Sequence, residues 1–283
     1  MNTLLIGKGR SVGISSDGPI VIIGERINPT GRKLLSAAYR DGKLDYVEEL
    51  ARKQVAAGAD LLDMNVGVPG LDEEELLPKV VAAVTSAVDV PLCLDSANAQ
   101  ALAAALAVAP GKPLVNSVNG GEASLTSILP LIKDRGAAVI GLTMDDRGIP
   151  NDPETRVSIA GKIIERAARL GIEPADVVID PLVMTVGADT NAGVVSLRTI
   201  ERVRREFGVN INIGASNVSF GLPERDAIND AFLALAASMG ANCVITDPLK
   251  HTLMIRAVDL LMGRDAYAAR YIHCYRSLSK GTG

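Results

Sequence analysis

Short apolar runs alternate along this chain with longer amphipathic stretches. The runs are residues 20–28 (IVIIGERIN), 60–67 (DLLDMNVG), 90–96 (VPLCLDS), 112–120 (KPLVNSVNG), 137–145 (AAVIGLTMD), 176–182 (DVVIDPL), 210–217 (NINIGASN) and 241–248 (ANCVITDP). Each is too short for a typical helix, and together they are rich in Val and Ile, as buried parallel strands are. Between them the apolar positions take helical spacing. Residues 44–57 place Leu44, Val47, Leu50, Ala51 and Val55 close to one face, and Gly58 follows where a helix C-terminus favours glycine. The same reading predicts helices over 71–88, 99–109, 124–135, 153–170, 192–207, 223–239 and 250–262. Eight strand–helix units predict an α/β chain folded as a (β/α)8 TIM barrel in a single domain, with an open doubly wound sheet as the alternative. The barrel is expected over 20–263. Residues 1–19 are expected to form a short turn-rich cap over its bottom, and 264–283 a C-terminal helical extension used in packing or dimer contact.

Composition narrows the function. The chain has 283 residues, 48% of them hydrophobic, which suffices for a large core. A net charge of -4 and 3% aromatics argue against nucleic acid as a partner, by charge and by lack of stacking platforms. The opening MNTLLIGKGRSVG lacks the long apolar run of a signal peptide. The apolar stretch ALAAALAVA stops at Pro110, too short to span a membrane. A cytoplasmic protein is therefore expected, with no membrane partner. Cys93, Cys243 and Cys274 show no CxxC pairing and read as reduced thiols, the first two as small core residues.

In a barrel of this kind the chemistry lies at the C-terminal ends of the strands. Those ends carry Glu25, Arg26 and Asn28; Asp63 and Asn65; Asp95 and Ser96; Asn116, Ser117 and Asn119; Thr143, Met144 and Asp145; Asp180; Ser216 and Asn217; and Asp247. Lys and His are absent from them, which disfavours a strand-end Schiff base and a His-rich zinc site. Asp145 and Asp247, beside turn chemistry, also fit as helix caps. Asp95, Asn116, Asp180 and Asn217 follow the apolar runs and are expected to face the barrel mouth. A ring of carboxylates and amides suits either a divalent metal or a neutral heterocycle rich in N–H donors. The number of asparagines favours the heterocycle, since hard metals prefer more carboxylate.

The segments GERINPTGRK, LDMNVG, LCLDS, VNSVNG, IGLTM, VIDPL and GASNVSFGLPERDAIND occur in this order, each at a strand end. Together they resemble the methyltetrahydrofolate:corrinoid protein methyltransferases of the pterin-binding group, over about residues 20–262. The resemblance implies a pterin held in the barrel mouth by Asp95, Asn116 and Asp180. It implies Asn217 beside N5, the nitrogen that carries the methyl group, and Arg225 next to that site. Glu25, Asn28, Asp63, Asn65, Gly214 and Met144 would complete the pocket. The substrates implied are tetrahydrofolate and methyltetrahydrofolate, and the second partner is a corrinoid (cobalamin) carried by a separate protein, since no DxHxxG segment occurs here. No protein-bound metal is implied, and a homodimer is. The chemistry gives Asn217 a reason. Methyl transfer from N5 requires positive charge to develop there; a carboxylate would trap the proton, whereas a neutral amide can accept N5–H and swing. Arg32, Lys33 and Arg147 are candidates for the glutamate tail. The alternatives are a dihydropteroate synthase-like enzyme, disfavoured because strands seven and eight end in SNVSFG and TDP without basic residues for pyrophosphate, and a non-catalytic pterin-binding component.

Overall fold

In the computed structural model, which describes residues 1–280, the eight predicted runs are all strands. They are β3 (Val21–Ile27), β4 (Leu61–Asn65), β5 (Leu92–Asp95), β6 (Leu114–Asn119), β7 (Ala138–Leu142), β8 (Val177–Asp180), β9 (Asn210–Gly214) and β10 (Cys243–Thr246). Every neighbouring pair is parallel, and β10 pairs with both β9 and β3, so the sheet closes. The expected (β/α)8 barrel is therefore the observed fold.

Side chains alternate across each strand, and two apolar layers result. Ile211 and Ile213 of β9 face outward, with Ile22, Leu62, Leu94 and Ile179, against the helices. Val21, Ile23, Leu61, Cys93, Leu114, Ile140 and Val178 face inward and fill the barrel's lower half. Cys93 and Cys243 are both buried there, as expected of small core residues.

The helices wrap the outside: α2 (Asp45–Ala56), α3 (Glu73–Ala87), α4 (Ala99–Val108), α5 (Glu122–Arg135), α6 (Pro153–Arg169), α7 (Ala192–Phe207), α8 (Arg225–Met239) and α9 (Pro248–Leu261). Asp72, Asn98, Asp152 and Asp247 cap four of them by accepting backbone N–H groups. Gly136 and Gly208 end two others with φ of 65° and 66°, a conformation that costs glycine nothing. A ninth outer helix, α1 (Lys33–Asp41), precedes α2 and has no counterpart in the sequence reading. Its N-cap, Arg32, makes no capping bond, and it is held by burial of Leu35, Ala38 and Tyr39 rather than by local signals.

The N-terminal segment is not turn-rich. β1 (Asn2–Ile6) and β2 (Ser11–Ser15) form an antiparallel hairpin with Leu4 opposite Gly13. Its Leu5, Val12 and Ile14 are buried against the inward residues of the barrel. Asn210 fastens it, donating from Nδ2 to the Ile14 carbonyl (2.7 Å) and the Thr3 hydroxyl (2.8 Å). A short hairpin is marginal alone, so this one exists because the barrel bottom is there to receive it. At the other end, α10 (Ala269–Lys280) packs beside α9. No described helix is long and apolar enough to cross a membrane.

Candidate active site

The inward positions change character near the C-terminal ends of the strands. On β3 the series Val21, Ile23 ends in Glu25; on β4, Leu61 gives way to Asp63 and Asn65; on β5, Cys93 gives way to Asp95. On β6 Leu114 is followed by Asn116, and on β8 Val178 is followed by Asp180. These ends surround a cavity of about 570 Å³. Glu25, Asn28, Asp63, Asp95, Asn116, Asp180, Gly214, Asn217 and Arg225 all line it, joined by Leu142, Leu182, Phe220 and Ile245.

Two of the expected residues stand outside the lining. Asn65 has committed its amide to the protein: Nδ2 donates to Asp95 Oδ2 at 3.0 Å and Oδ1 accepts the Gly67 N–H at 2.8 Å. It orients Asp95. Met144 lies beyond the end of β7, with its carbonyl accepting the Gly120 N–H. Leu142, two residues earlier and of inward parity, takes the wall position instead. Asn28 lines the cavity and also turns the chain, accepting the Thr30 N–H at 3.0 Å.

The polar wall is preorganised by neighbours. Asn116 donates to Asp63 Oδ1 at 3.2 Å. Asp63 is 2% exposed, and burial, reinforced by the charge of Asp95, lifts its pKa well above the ordinary carboxylate value. Burial also pushes Asp95 up to about 6. Burial and mutual repulsion thus make both carboxyls easier to protonate than free ones. Burial raises Glu25 as well, against the opposing charge of Arg32.

Asp180 rests on contacts absent from the sequence reading. Its Oδ2 accepts from Asn212 Nδ2 at 2.7 Å and its Oδ1 accepts the Leu182 N–H at 2.8 Å. Burial raises it to about 6, opposed by these two bonds and by the charge of Arg156. Leu182 sits at φ 60°, a region that costs a leucine about 1 kcal/mol or more. Arg156 of α6, 1% exposed, holds it there. Its Nη1 donates to the carbonyls of Pro181 (2.9 Å) and Leu182 (2.7 Å), and its Nε to Pro150 (2.8 Å). The parity of β9 was the available signal for Asn212: Asn210, Asn212 and Gly214 all face inward.

Beyond β9 the chain makes a 3-10 turn, Ala215–Asn217. Arg225 clasps it from α8, with Nη2 on the Ser216 carbonyl (2.6 Å) and Nε on the Ser219 hydroxyl (3.1 Å), its guanidinium 5.9 Å from the Phe220 ring centroid. The Ser216 hydroxyl reaches Glu25 at 3.3 Å. Asn217 itself is exposed at the rim, and its side chain makes no hydrogen bond to the described residues. Asp247 proves to be both a cap and an ion-pair partner, to Arg26 at 2.7 Å. Asp145 pairs with the exposed Arg147, and His251 is buried against Asp230. Among the described residues no group of three His, Cys, Asp or Glu is placed to hold a metal ion.

Residues 24–247 match the family model for pterin binding enzymes. The chain is 30% identical to the methylcorrinoid:tetrahydrofolate methyltransferase of Eubacterium limosum, over 91% of this chain and 96% of that protein. It is 28% identical to the methionine synthase of Mycobacterium tuberculosis, covering 90% of this chain and 23% of the synthase. Among solved structures it resembles the Yersinia pestis dihydropteroate synthase, with a TM-score of 0.72 at 19% identity over 93% of this chain and 100% of that one. The Xanthomonas albilineans dihydropteroate synthase with 4-aminobenzoic acid gives 0.71 at 21%, over 94% and 99%. At such identities the likeness to the synthases concerns the fold.

Proposed function

The chain belongs to the pterin-binding enzymes, and from that premise we propose that it transfers a methyl group between N5 of tetrahydrofolate and the cobalt of a corrinoid carried by a separate protein. The observation that carries this reading is the state of Asn217. It is an uncommitted amide at the rim of a cavity whose other carboxylates and amides are largely fixed by protein partners. The relationship to the Eubacterium limosum methyltransferase supports the same chemistry.

The pterin enters with its N–H edge toward the wall. Asp180, ionised, accepts paired hydrogen bonds from adjacent ring N–H groups, the geometry a carboxylate favours. Asn116, whose Nδ2 is spent on Asp63, presents its Oδ1 to a ring donor. Asp95 is the second acceptor, aimed by Asn65. N5 then lies toward the rim and Asn217. When the methyl group leaves, N5 must carry a proton taken up from water at the exposed rim, and when the methyl group arrives, N5–H must lose one to that water. Asn217 accepts the N5–H hydrogen bond as charge develops and turns away afterwards. Being neutral, it stabilises that charge without holding the proton. Arg225 acts by fixing the turn that presents Asn217. The corrinoid's cobalt supplies the nucleophile or the methyl donor, according to direction, so the barrel needs no nucleophile of its own.

The test is titration of the purified protein with methyltetrahydrofolate, followed by addition of free Co(I) cobalamin while its absorbance is monitored. Binding and formation of methylcobalamin are expected. Binding without transfer to free cobalamin or to any corrinoid protein would leave a pterin binder, and absence of binding would remove the reading altogether.

A further inference from the structure

A cavity of about 420 Å³ lies at the end of the barrel away from the mouth, where the last turn of α2 and the start of β4 meet α9 and α10. Ala56, Ala57, Gly58 and Ala59 form its floor, and side chains this small leave the space unfilled. Gly58, at φ 103°, lets that turn sit against α9, since a Cβ there would stand 2.8 Å from Thr252 Cγ2. The opposite wall is α10, through Ala269, Arg270, His273, Cys274 and Ser277, which recur at helical spacing on one face. The C-terminal helix therefore turns an open groove into a cavity.

Three guanidinium groups and one carboxylate line it: Arg10, Arg256, Arg270 and Asp60. Asp60 is fully engaged. Its Oδ1 accepts from Arg10 Nη2 at 3.1 Å, and its Oδ2 accepts the Ile22 N–H at 3.0 Å and Arg256 Nη2 at 3.4 Å. Asp259, behind Arg256, accepts the Ile20 N–H at 2.8 Å and Arg256 Nη1 at 3.1 Å. Arg256, 4% exposed, is thereby fixed. Arg270 is left over. It comes no nearer than 4.0 Å to Asp60 or Asp259, and its Nη1 is buried with no hydrogen-bond partner among the described residues. Asp265 does not serve its guanidinium, because the two Asp265 oxygens accept the backbone N–H groups of Arg270 and Tyr271. Burial, then the charge of Arg256, hold Arg270 below the usual guanidinium range against the pull of the three carboxylates. A buried donor without an acceptor costs free energy that an incoming oxyanion would recover.

We propose that this cavity is a binding site for a small organic anion, a carboxylate or a phosphate ester with a compact apolar body. The anionic group takes the open Nη1 of Arg270 and the donors of Arg10 that Asp60 leaves free. The planar fork of a guanidinium suits either oxyanion. The apolar body lies against Ala56, Ala57 and Ala269. A neutral molecule would leave Arg270 unpaired, and an inorganic anion would leave the alanine wall wet. No residue that lines the mouth cavity lines this one, so occupancy of the two can be measured separately.

Cys274 reports on the site, because it lines the cavity and is half-buried while Cys93 and Cys243 are buried in the barrel. The experiment follows its alkylation by iodoacetamide, by mass spectrometry, in the presence of phenyl phosphate, benzoate, inorganic phosphate or neutral benzyl alcohol. Calorimetry with the same four probes gives affinities independently of the thiol. Phenyl phosphate or benzoate is expected to slow alkylation saturably, with a Kd of about 0.1–1 mM, and the tighter of the two identifies the ligand as a phosphate ester or a carboxylate. Arg270→Gln, at a guanidinium that makes no hydrogen bond, should weaken that binding about tenfold. Ala269→Trp, at an exposed position, keeps every charge and fills the room, and should weaken it as much. No binding by either organic anion, or binding that both variants retain, would overturn the site. Benzyl alcohol or inorganic phosphate binding as tightly as the organic anions would overturn the proposed ligand class.

Discussion

A Cβ on Gly214 would stand 3.2 Å from Nδ2 of Asn217. The bare backbone at Gly214 is therefore what gives the Asn217 amide its room. Gly214 has an ordinary φ of -85°, so alanine there is not strained and the crowding falls on the amide alone. Gly214→Ala is expected to leave the melting temperature nearly unchanged and folate affinity within a few-fold. Methyl transfer should fall about tenfold, part of the loss expected when a preorganised group is removed. Single-turnover kinetics beside a binding titration would separate the two effects.

Asn217→Ala should lower methyl transfer by about 10²-fold or more, the scale for loss of one preorganised hydrogen-bonding group. Its exposure at the rim means the fold should tolerate the change. Unaltered turnover would remove Asn217 from the mechanism.

Asp180 titrates near 6 in the folded chain against an ordinary value of 3.8. A raised carboxylate favours the protonated folded state. Its contribution is complete below about pH 4 and is lost as pH rises through about 6, an effect of about 3 kcal/mol for the ligand-free protein. Asp180→Asn should flatten that part of the pH–stability curve, as read by thermal melts. Folate needs the ionised form, so its affinity should fall as pH drops below about 6. Asn212→Leu removes the donor on Oδ2, raises Asp180 further and should move that edge to higher pH.

Arg156→Met would leave three carbonyls, of Pro150, Pro181 and Leu182, without their donor. A loss of about 2–4 kcal/mol is expected from denaturant unfolding. Folate binding should weaken too, because Leu182 also donates to Asp180.

Leu5→Ala tests the opposite end of the barrel. Leu5 is fully buried in the hairpin plug, and its truncation should cost about 2–5 kcal/mol. Folate affinity measured below the unfolding transition should not change.

What the sequence determined by itself was the barrel and the polar character of its mouth. A strand buried on both faces must be a nearly continuous apolar run, so residues 137–145 and 176–182 announce themselves. A polar residue at the end of such a run has one place to go, and Asp95, Asn116 and Asp180 went there. The tertiary structure decided what depends on contacts between distant segments or on the exact parity of a strand. Leu142 rather than Met144 faces the pocket because β7 ends between them. Asn212 became the support of Asp180 because β9 lies beside β8. Arg156 reaches from α6 into a loop 25 residues further along the chain. The hairpin β1–β2 and the helix α1 carry weak local signals and are held by burial against the finished barrel. Periodicity reports which face of an element is buried, whereas only closure of the barrel fixes which residues meet inside it.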